Sequence, residues 1–163
     1  MNTLVAKNVN NAELLIKAVK ITSLNLKTLH RHLVGQNWFT IHDLIGDYYE
    51  KIDEFEDAIV ENLMSIGVKD VPVDVDSCCP IIGVKSYTED EAMEAIDQMF
   101  NALLKLSQQV RQDLNIPSSI APVFDEFENF LQLEANYKIK MYKSENISAI
   151  DSSDDDDILM VRY

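Results

Sequence analysis

The sequence predicts an all-α fold, a bundle of four helices in which one long crossover joins helices 2 and 3. Only four Gly and four Pro interrupt the 163 residues. Apolar residues recur at steps of three and four positions through most of the chain. They make up 47% of the residues, enough for one buried core, and the chain is too short for two comfortable domains.

The first helix is expected to begin at Asn10 or Asn11, because either amide can cap a helix. Residues 1–9 would then form a short N-terminal tail. Gly35 should end the helix, since glycine readily adopts the positive φ of a helix terminator. Apolar residues at helical spacing are Leu14, Leu15, Ala18, Leu26, Leu29 and Leu33.

The second helix is expected from about Phe39 to Ile66, and Gly67 follows where a terminator belongs. Its polar faces are densely acidic. The crossover at residues 68–87 contains Pro72 and Pro80, which forbid a continuous helix. We expect a loop with a short helix inside it, because the brief alternation of valines from 71 to 75 offers one strand without a partner.

The third helix should start at Thr88, because Glu91 lies three positions later and completes a capping box. It should stop near Leu114 or Asn115, before Pro117.

The fourth helix has Ser118 or Ser119 as its expected cap, tolerates Pro122 in its first turn, and should end near Lys143. The folded domain would therefore span residues 10–143. Residues 144–163 contain a run of aspartates that repel one another, so we expect an acidic, mobile tail there.

Composition restricts the possible partners. The formal net charge is −14, which repels nucleic acid and anionic membranes and attracts cations. No stretch reaches the ~20 apolar residues of a membrane span, and the N-terminus lacks the apolar run of a secretory signal. Cys78 and Cys79 are neighbours in sequence, and neighbouring cysteines rarely satisfy disulfide geometry. Because no disulfide framework is indicated, we expect a soluble protein of the reducing cytoplasm.

Two histidines and two acidic residues, His30, His42, Asp57 and Glu61, form the candidate metal site. Nitrogen and oxygen donors of this kind suit Fe(II), Zn or Mn. His42 and Asp57 are fifteen residues apart, roughly 22 Å along one helix, so they cannot share an ion within one chain. They could share one if two copies of the helix run antiparallel across a two-fold axis. The spacing therefore favours a self-assembling metal protein.

Four helices with acidic inner faces suggest ferritin-like architecture. The Glu-x-x-His pairs of a site inside one subunit are absent, because Lys27, Leu29 and Phe39 precede the three histidines by three positions. Residues 30–42, HRHLVGQNWFTIH, resemble the histidine–glycine–aromatic–histidine pattern of the Dps family of mini-ferritins. Residues 53–61, DEFEDAIVE, resemble the Asp-x-x-x-Glu signature of that family, and the long crossover and chain length are also similar.

The resemblance implies that His30 and His42 come from one subunit, and Asp57 and Glu61 from its two-fold partner. It implies a ferroxidase, an enzyme that oxidises Fe(II), preferentially with hydrogen peroxide and otherwise with oxygen. Iron (Fe2+/Fe3+) would be stored as ferric mineral in a dodecamer built from two-fold dimers. Removing Fe(II) and peroxide together would limit oxidative stress.

The chain departs from the family at Gly46, where an aspartate ligand is usual. Asp47 is the candidate substitute, although one residue turns it about 100° around the helix. Direct DNA binding is not expected, because the N-terminus before the first helix offers only Lys7 and the C-terminus is acidic. The alternative is a cage that has lost useful ferroxidase activity and acts by binding DNA or another metal. A plain helical oligomer with neither role also remains open.

Overall fold

The computed structural model describes residues 3–73 and 80–144, with side chains from Asn11 onward. Four long helices occupy these residues: α1 (Thr3–His32), α2 (Trp38–Ser65), α3 (Glu89–Leu114) and α4 (Ala121–Leu133). A π-helical segment (Glu134–Ile139) continues α4, and helical backbone resumes to residue 144. The predicted all-α, four-helix bundle is confirmed.

The helices pack their apolar faces into one core. Burying each large apolar side chain contributes about 1.5–3 kcal/mol before chain entropy is counted. The ring of the partly buried Phe130 packs against two core rings, with centroids 5.5 Å from Phe55 and 5.7 Å from Phe100. The largest fully buried side chains include Phe100, Phe124, Phe127, Leu15, Ile16, Ile45, Ile52 and Ile59.

Helix α1 begins at Thr3 instead of Asn10 or Asn11, so most of the stretch expected as a tail has helical backbone. No Gly or Pro occurs between Thr3 and His32, and nothing in the local sequence therefore stops the helix earlier.

The expected serine cap of the fourth helix is also wrong. Ile120 is the N-cap of α4, and no side chain caps it. The backbone N–H groups of Ile120 and Ala121 instead donate to the carbonyl of Pro117, at 3.1 and 3.0 Å. Burial of the apolar Ile120 side chain, 5% exposed, sets this turn. Pro122 lies in the first turn of α4, as predicted.

Two short strands that were not predicted join the α1–α2 connection to the end of the crossover. Strand β1 (Leu33–Val34) pairs in parallel with β2 (Tyr87–Thr88), so that Leu33 lies opposite Tyr87. The described parts of the crossover, residues 68–73 and 80–86, contain no helix. Residues 74–79, where any short helix and the two cysteines would fall, lie outside the described residues, as does the acidic tail from 145 to 163.

Buried Asn25 on α1 anchors the crossover. Its amide donates to the carbonyl of Pro80 at 3.0 Å and accepts from the N–H of Ile82 at 3.1 Å. The crossover therefore lies along α1 through hydrogen bonds that satisfy a buried amide.

The π-helical segment buries a carboxylate in the bundle. Glu134 is 6% exposed, and it accepts hydrogen bonds from the hydroxyl of Tyr48 at 2.8 Å and the ammonium of Lys138 at 2.7 Å. Burial, together with the hydrogen bond to Glu134, raises the pKa of Tyr48. The hydroxyl is therefore a permanent donor to Glu134 at neutral pH. Among the described helices, none is both long and apolar enough to cross a membrane.

Candidate metal centre

The turn between α1 and α2 brings two histidines face to face. His30 lies in the last turn of α1 and His42 in the first turns of α2, and their ring centroids are 3.6 Å apart with the planes 33° apart. The chain reverses direction between them, so the start of α2 runs back along the end of α1. Two residues twelve positions apart in sequence thus present their imidazoles at one place.

Gly35 makes this reversal possible. Its φ of +154° is a conformation that other residues rarely adopt. The positive φ was predicted, but the helix that Gly35 was expected to end stops at His32, and Leu33 lies in a strand. A Cβ at Gly35 would also lie 2.7 Å from Cγ of Glu89, too close for real atoms. The Glu89 carboxylate occupies that space because it accepts a 2.6 Å hydrogen bond from the N–H of Asn37, the N-cap of α2. A negative charge at this helix start is favourable.

Aromatic rings flank the histidine pair on both sides. The indole of Trp38 stacks on His42, with centroids 4.2 Å apart, and Tyr49 meets His30 edge-on at 5.3 Å. The order across the site is therefore Trp38, His42, His30, Tyr49. The ammonium of Lys27 lies 5.6 Å from the Tyr49 ring centroid. Sequence analysis did not find this stack, although the spacing of Trp38 one turn before His42 was a usable signal.

The electrostatics of the site favour a neutral imidazole at His30. Burial lowers the pKa of His30, and the nearby His42 and Arg31 lower it further, while Asp43 opposes them. A neutral imidazole has a lone pair available for a metal ion. Asp43 Oδ1 lies 3.6 Å from Nδ1 of His42, so this pair is ionic only when the histidine is protonated.

The two acidic residues of the candidate site lie elsewhere on α2. Asp57 and Glu61 are exposed, and the continuous helix separates Asp57 from His42 by roughly 22 Å. The residues that the structure describes contain no group of three or more His, Cys, Asp or Glu able to hold a metal ion. One chain brings the two histidines together and leaves the carboxylates apart from them.

Other acidic residues near the histidines have different roles. Asp53 accepts hydrogen bonds from Ser23 and, at 2.8 Å, from Lys27, so it links α2 to α1. Asp47 is exposed, and the residue that lies against His30 is Gly46. A Cβ at Gly46 would be 3.5 Å from Nε2 of His30. The role of Asp47 as a substitute ligand stays a prediction.

The sequence similarity of this chain to a known protein covers part of its length. No protein-family model matches the chain. A segment of 61 residues, 37% of this chain, is 31% identical to "DNA protection during starvation protein 2" of Deinococcus radiodurans. The match spans only 25% of that relative's length.

Solved structures extend the likeness over most of the chain. Dps92 from Deinococcus radiodurans superposes with a TM-score of 0.73 at 18% identity, covering 86% of this chain and 88% of that one. The antigen TpF1 from Treponema pallidum reaches 0.74 at 17% identity, covering 87% and 94%. A Dps protein from Bacillus brevis reaches 0.74 at 16% identity, covering 87% and 98%. The chain thus has the ferritin-like four-helix fold of these Dps structures, and one segment of it is similar in sequence to a DNA protection during starvation protein.

Proposed function

We propose that this chain is an iron-detoxifying mini-ferritin whose substrate, Fe(II), is oxidised at centres shared between two protomers. One observation carries the proposal. His30 and His42 are in contact at the start of α2, while Asp57 and Glu61 lie exposed and roughly 22 Å further along the same helix. Each chain then supplies two halves of a centre that it cannot join by itself.

A two-fold axis is the simplest way to join these halves. If two copies of α2 run antiparallel and cross midway between His42 and Asp57, near Tyr49 and Glu50, each histidine pair faces the acidic pair of the partner. The interface is isologous, so one dimer contains two equivalent centres. Closed assembly of such dimers into a dodecameric shell, in the cytoplasm, is the form we propose for storing the ferric product.

The donor set suits the proposed chemistry. Neutral imidazoles bind Fe(II), and carboxylates bind both oxidation states of iron. With hydrogen peroxide as oxidant, two Fe(II) ions each lose one electron, the O–O bond breaks, two protons are taken up and two water molecules leave. Oxygen is the alternative oxidant. The rings of Trp38 and Tyr49 flank the imidazole pair, and the net charge of −14 draws cations to the surface.

Complementation between two inactive chains tests the shared centre. The first chain carries His30→Ala and His42→Ala, and the second carries Asp57→Ala and Glu61→Ala. Peroxide-driven Fe(II) oxidation, followed by absorbance near the ultraviolet edge, should be lost in each chain alone. A mixed dimer regains one of its two centres, because the second chain supplies the histidines and the first supplies the carboxylates.

Controls make the result decisive. Glu13→Gln removes a carboxylate seventeen residues before His30 on α1, about 25 Å away, and should leave the rate unchanged. Light scattering should show the same assembled mass for every variant. The shared centre would be contradicted if Fe(II) oxidation persisted in either doubly substituted chain, or if the mixed chains stayed inactive. The shell would be contradicted if the wild-type chain were monomeric.

One observation favours the alternative of a cage that binds without oxidising iron. Gly46, which offers no donor atom, is the residue against Nε2 of His30. Such a cage would bind another divalent metal or DNA. This alternative would be supported if the protein showed no Fe(II) oxidation above the His30→Ala control and yet bound Zn(II), or shifted the mobility of duplex DNA at a stated salt concentration.

A further inference from the structure

Gly46 has no backbone reason to be glycine. Among the glycines that the structure describes, positive φ occurs at Gly35 and Gly67, whereas Gly46 lies inside regular α2. Glycine is less favourable than alanine in a helix interior, because it loses more conformational freedom on folding. Its presence in α2 therefore calls for a local explanation.

The surroundings of Gly46 supply that explanation. The nearest atoms to a Cβ built there are Nε2 of His30 at 3.5 Å and Cδ2 at 3.7 Å. These are ordinary contact distances, so alanine would not overlap the ring. Atoms beyond Cβ, however, would stand beside Nε2, which is the atom through which an imidazole commonly binds a metal. Gly46 thus places no side-chain atoms beside this edge of His30.

Other neighbours cover different sides of the His30 ring. His42 lies over one face, with centroids 3.6 Å apart, and Tyr49 approaches edge-on at 5.3 Å. At the Nε2 edge, Gly46 supplies no donor atom that could bind a metal ion held by His30. Metal sites that do chemistry keep a position open, whereas structural sites fill it with protein ligands.

We infer that Gly46 leaves one coordination position open on a metal ion held by His30, and that this position takes a small oxygen or nitrogen donor from solution. The inference rests on the proposed metal centre. Water, peroxide and small anions share the required chemistry, since each presents a compact lone pair. A side chain ending in a carboxylate at residue 46 should fill the position from within the protein.

Co(II) and azide provide probes that do not depend on oxidation. The assembled protein is loaded with Co(II), its visible absorption is recorded, and azide is added. In the wild type, azide should change the Co(II) spectrum and saturate. In Gly46→Asp, Co(II) should bind more tightly and azide affinity should fall by at least about tenfold. Gly46→Ala, which adds no donor, should retain Co(II) binding and an azide response.

The matched control is Gly83→Asp, which adds the same side chain at a glycine with no atom within 4 Å of its Cβ. Azide affinity in this variant should equal that of the wild type. The inference would be overturned if Gly46→Asp and the wild type bound azide with equal affinity, or if azide did not change the Co(II) spectrum of the wild type. Either result would leave the proposed metal centre intact. Absent Co(II) binding, or binding unchanged in His30→Ala, would overturn the proposed function as well.

Discussion

The indole ring of Trp38 stacks on the imidazole of His42, with ring centroids 4.2 Å apart and planes 28° apart. Trp38 is the single tryptophan of the chain, so all tryptophan fluorescence reports on this contact. The stack joins the first turn of α2 to the histidine pair, and a metal ion bound to His42 would lie within a few ångströms of the indole.

Metal binding should therefore quench the fluorescence of Trp38. Titration of the assembled protein with Co(II), a paramagnetic ion, should lower the emission in a saturable way. His42→Ala should remove the saturable quenching, because the ligand next to the indole is lost. His32→Ala, which changes a histidine outside the ring stack, should retain it. Identical quenching in His42→Ala and wild type would place the ion elsewhere.

Gly35→Ala should destabilise the fold by about 1–3 kcal/mol, because alanine is strained at φ +154° and its methyl overlaps Glu89. The Glu89 carboxylate would have to move and release the N–H of Asn37. Thermal unfolding measures the effect. Gly83→Ala is the control, since its Cβ meets no atom within 4 Å. Equal melting temperatures for the two variants would contradict the role of Gly35.

Tyr48→Phe should destabilise the protein by about 1–3 kcal/mol, because it leaves one oxygen of buried Glu134 without its 2.8 Å donor. Denaturant unfolding gives the free energy. Adding Glu134→Leu should recover part of the loss, since the unsatisfied carboxylate is then gone. Tyr137→Phe, at a side chain that is 60% exposed, should have little effect. Additive losses in the double variant would argue against the pairing.

Glu56→Gln should stabilise the protein at neutral pH. Burial raises the pKa of Glu56 above its usual value of 4.5, although the positive charges of Lys20 and Lys27 oppose the shift. A raised folded-state pKa means that stability is fully present below the unfolded-state pKa and is lost as pH rises through the folded-state pKa. The uncharged amide escapes this loss at neutral pH, and its advantage should fade below pH 4.5.

Unfolding curves at pH 7 and at pH 4 would measure this change. Glu126→Gln, an exposed position on α4, is the matched control and should show no comparable gain at neutral pH. A Glu56→Gln variant that is less stable than wild type at pH 7 would show that the attraction to the two lysines outweighs the burial of the carboxylate.

The features that depend on neighbours in sequence were predictable. The capping box of Thr88 and Glu91 forms as expected, and α3 ends at Leu114. Gly67 adopts positive φ beside the end of α2 that it was expected to terminate, whereas α1 already ends at His32 and the strand Leu33–Val34 separates it from Gly35. Helix α2 runs from Trp38 to Ser65, within one residue of the expected bounds. Caps, glycine conformations and helical periodicity depend on residues a few positions apart, so the sequence contains them directly.

Other features were decided by the tertiary structure. Nothing near Leu33 indicates that Tyr87 will pair with it, and nothing near Glu134 indicates that Tyr48 will satisfy its carboxylate across 86 positions. The contact of Gly46 with His30 likewise exists only because α2 folds back along α1. The sequence by itself determined the four helices, the bounds of α2 and α3, and the candidate ligand types. The tertiary structure decided which side chains are in contact. Apolar faces of segments that are distant in sequence pack together, and this packing sets the distances between their side chains.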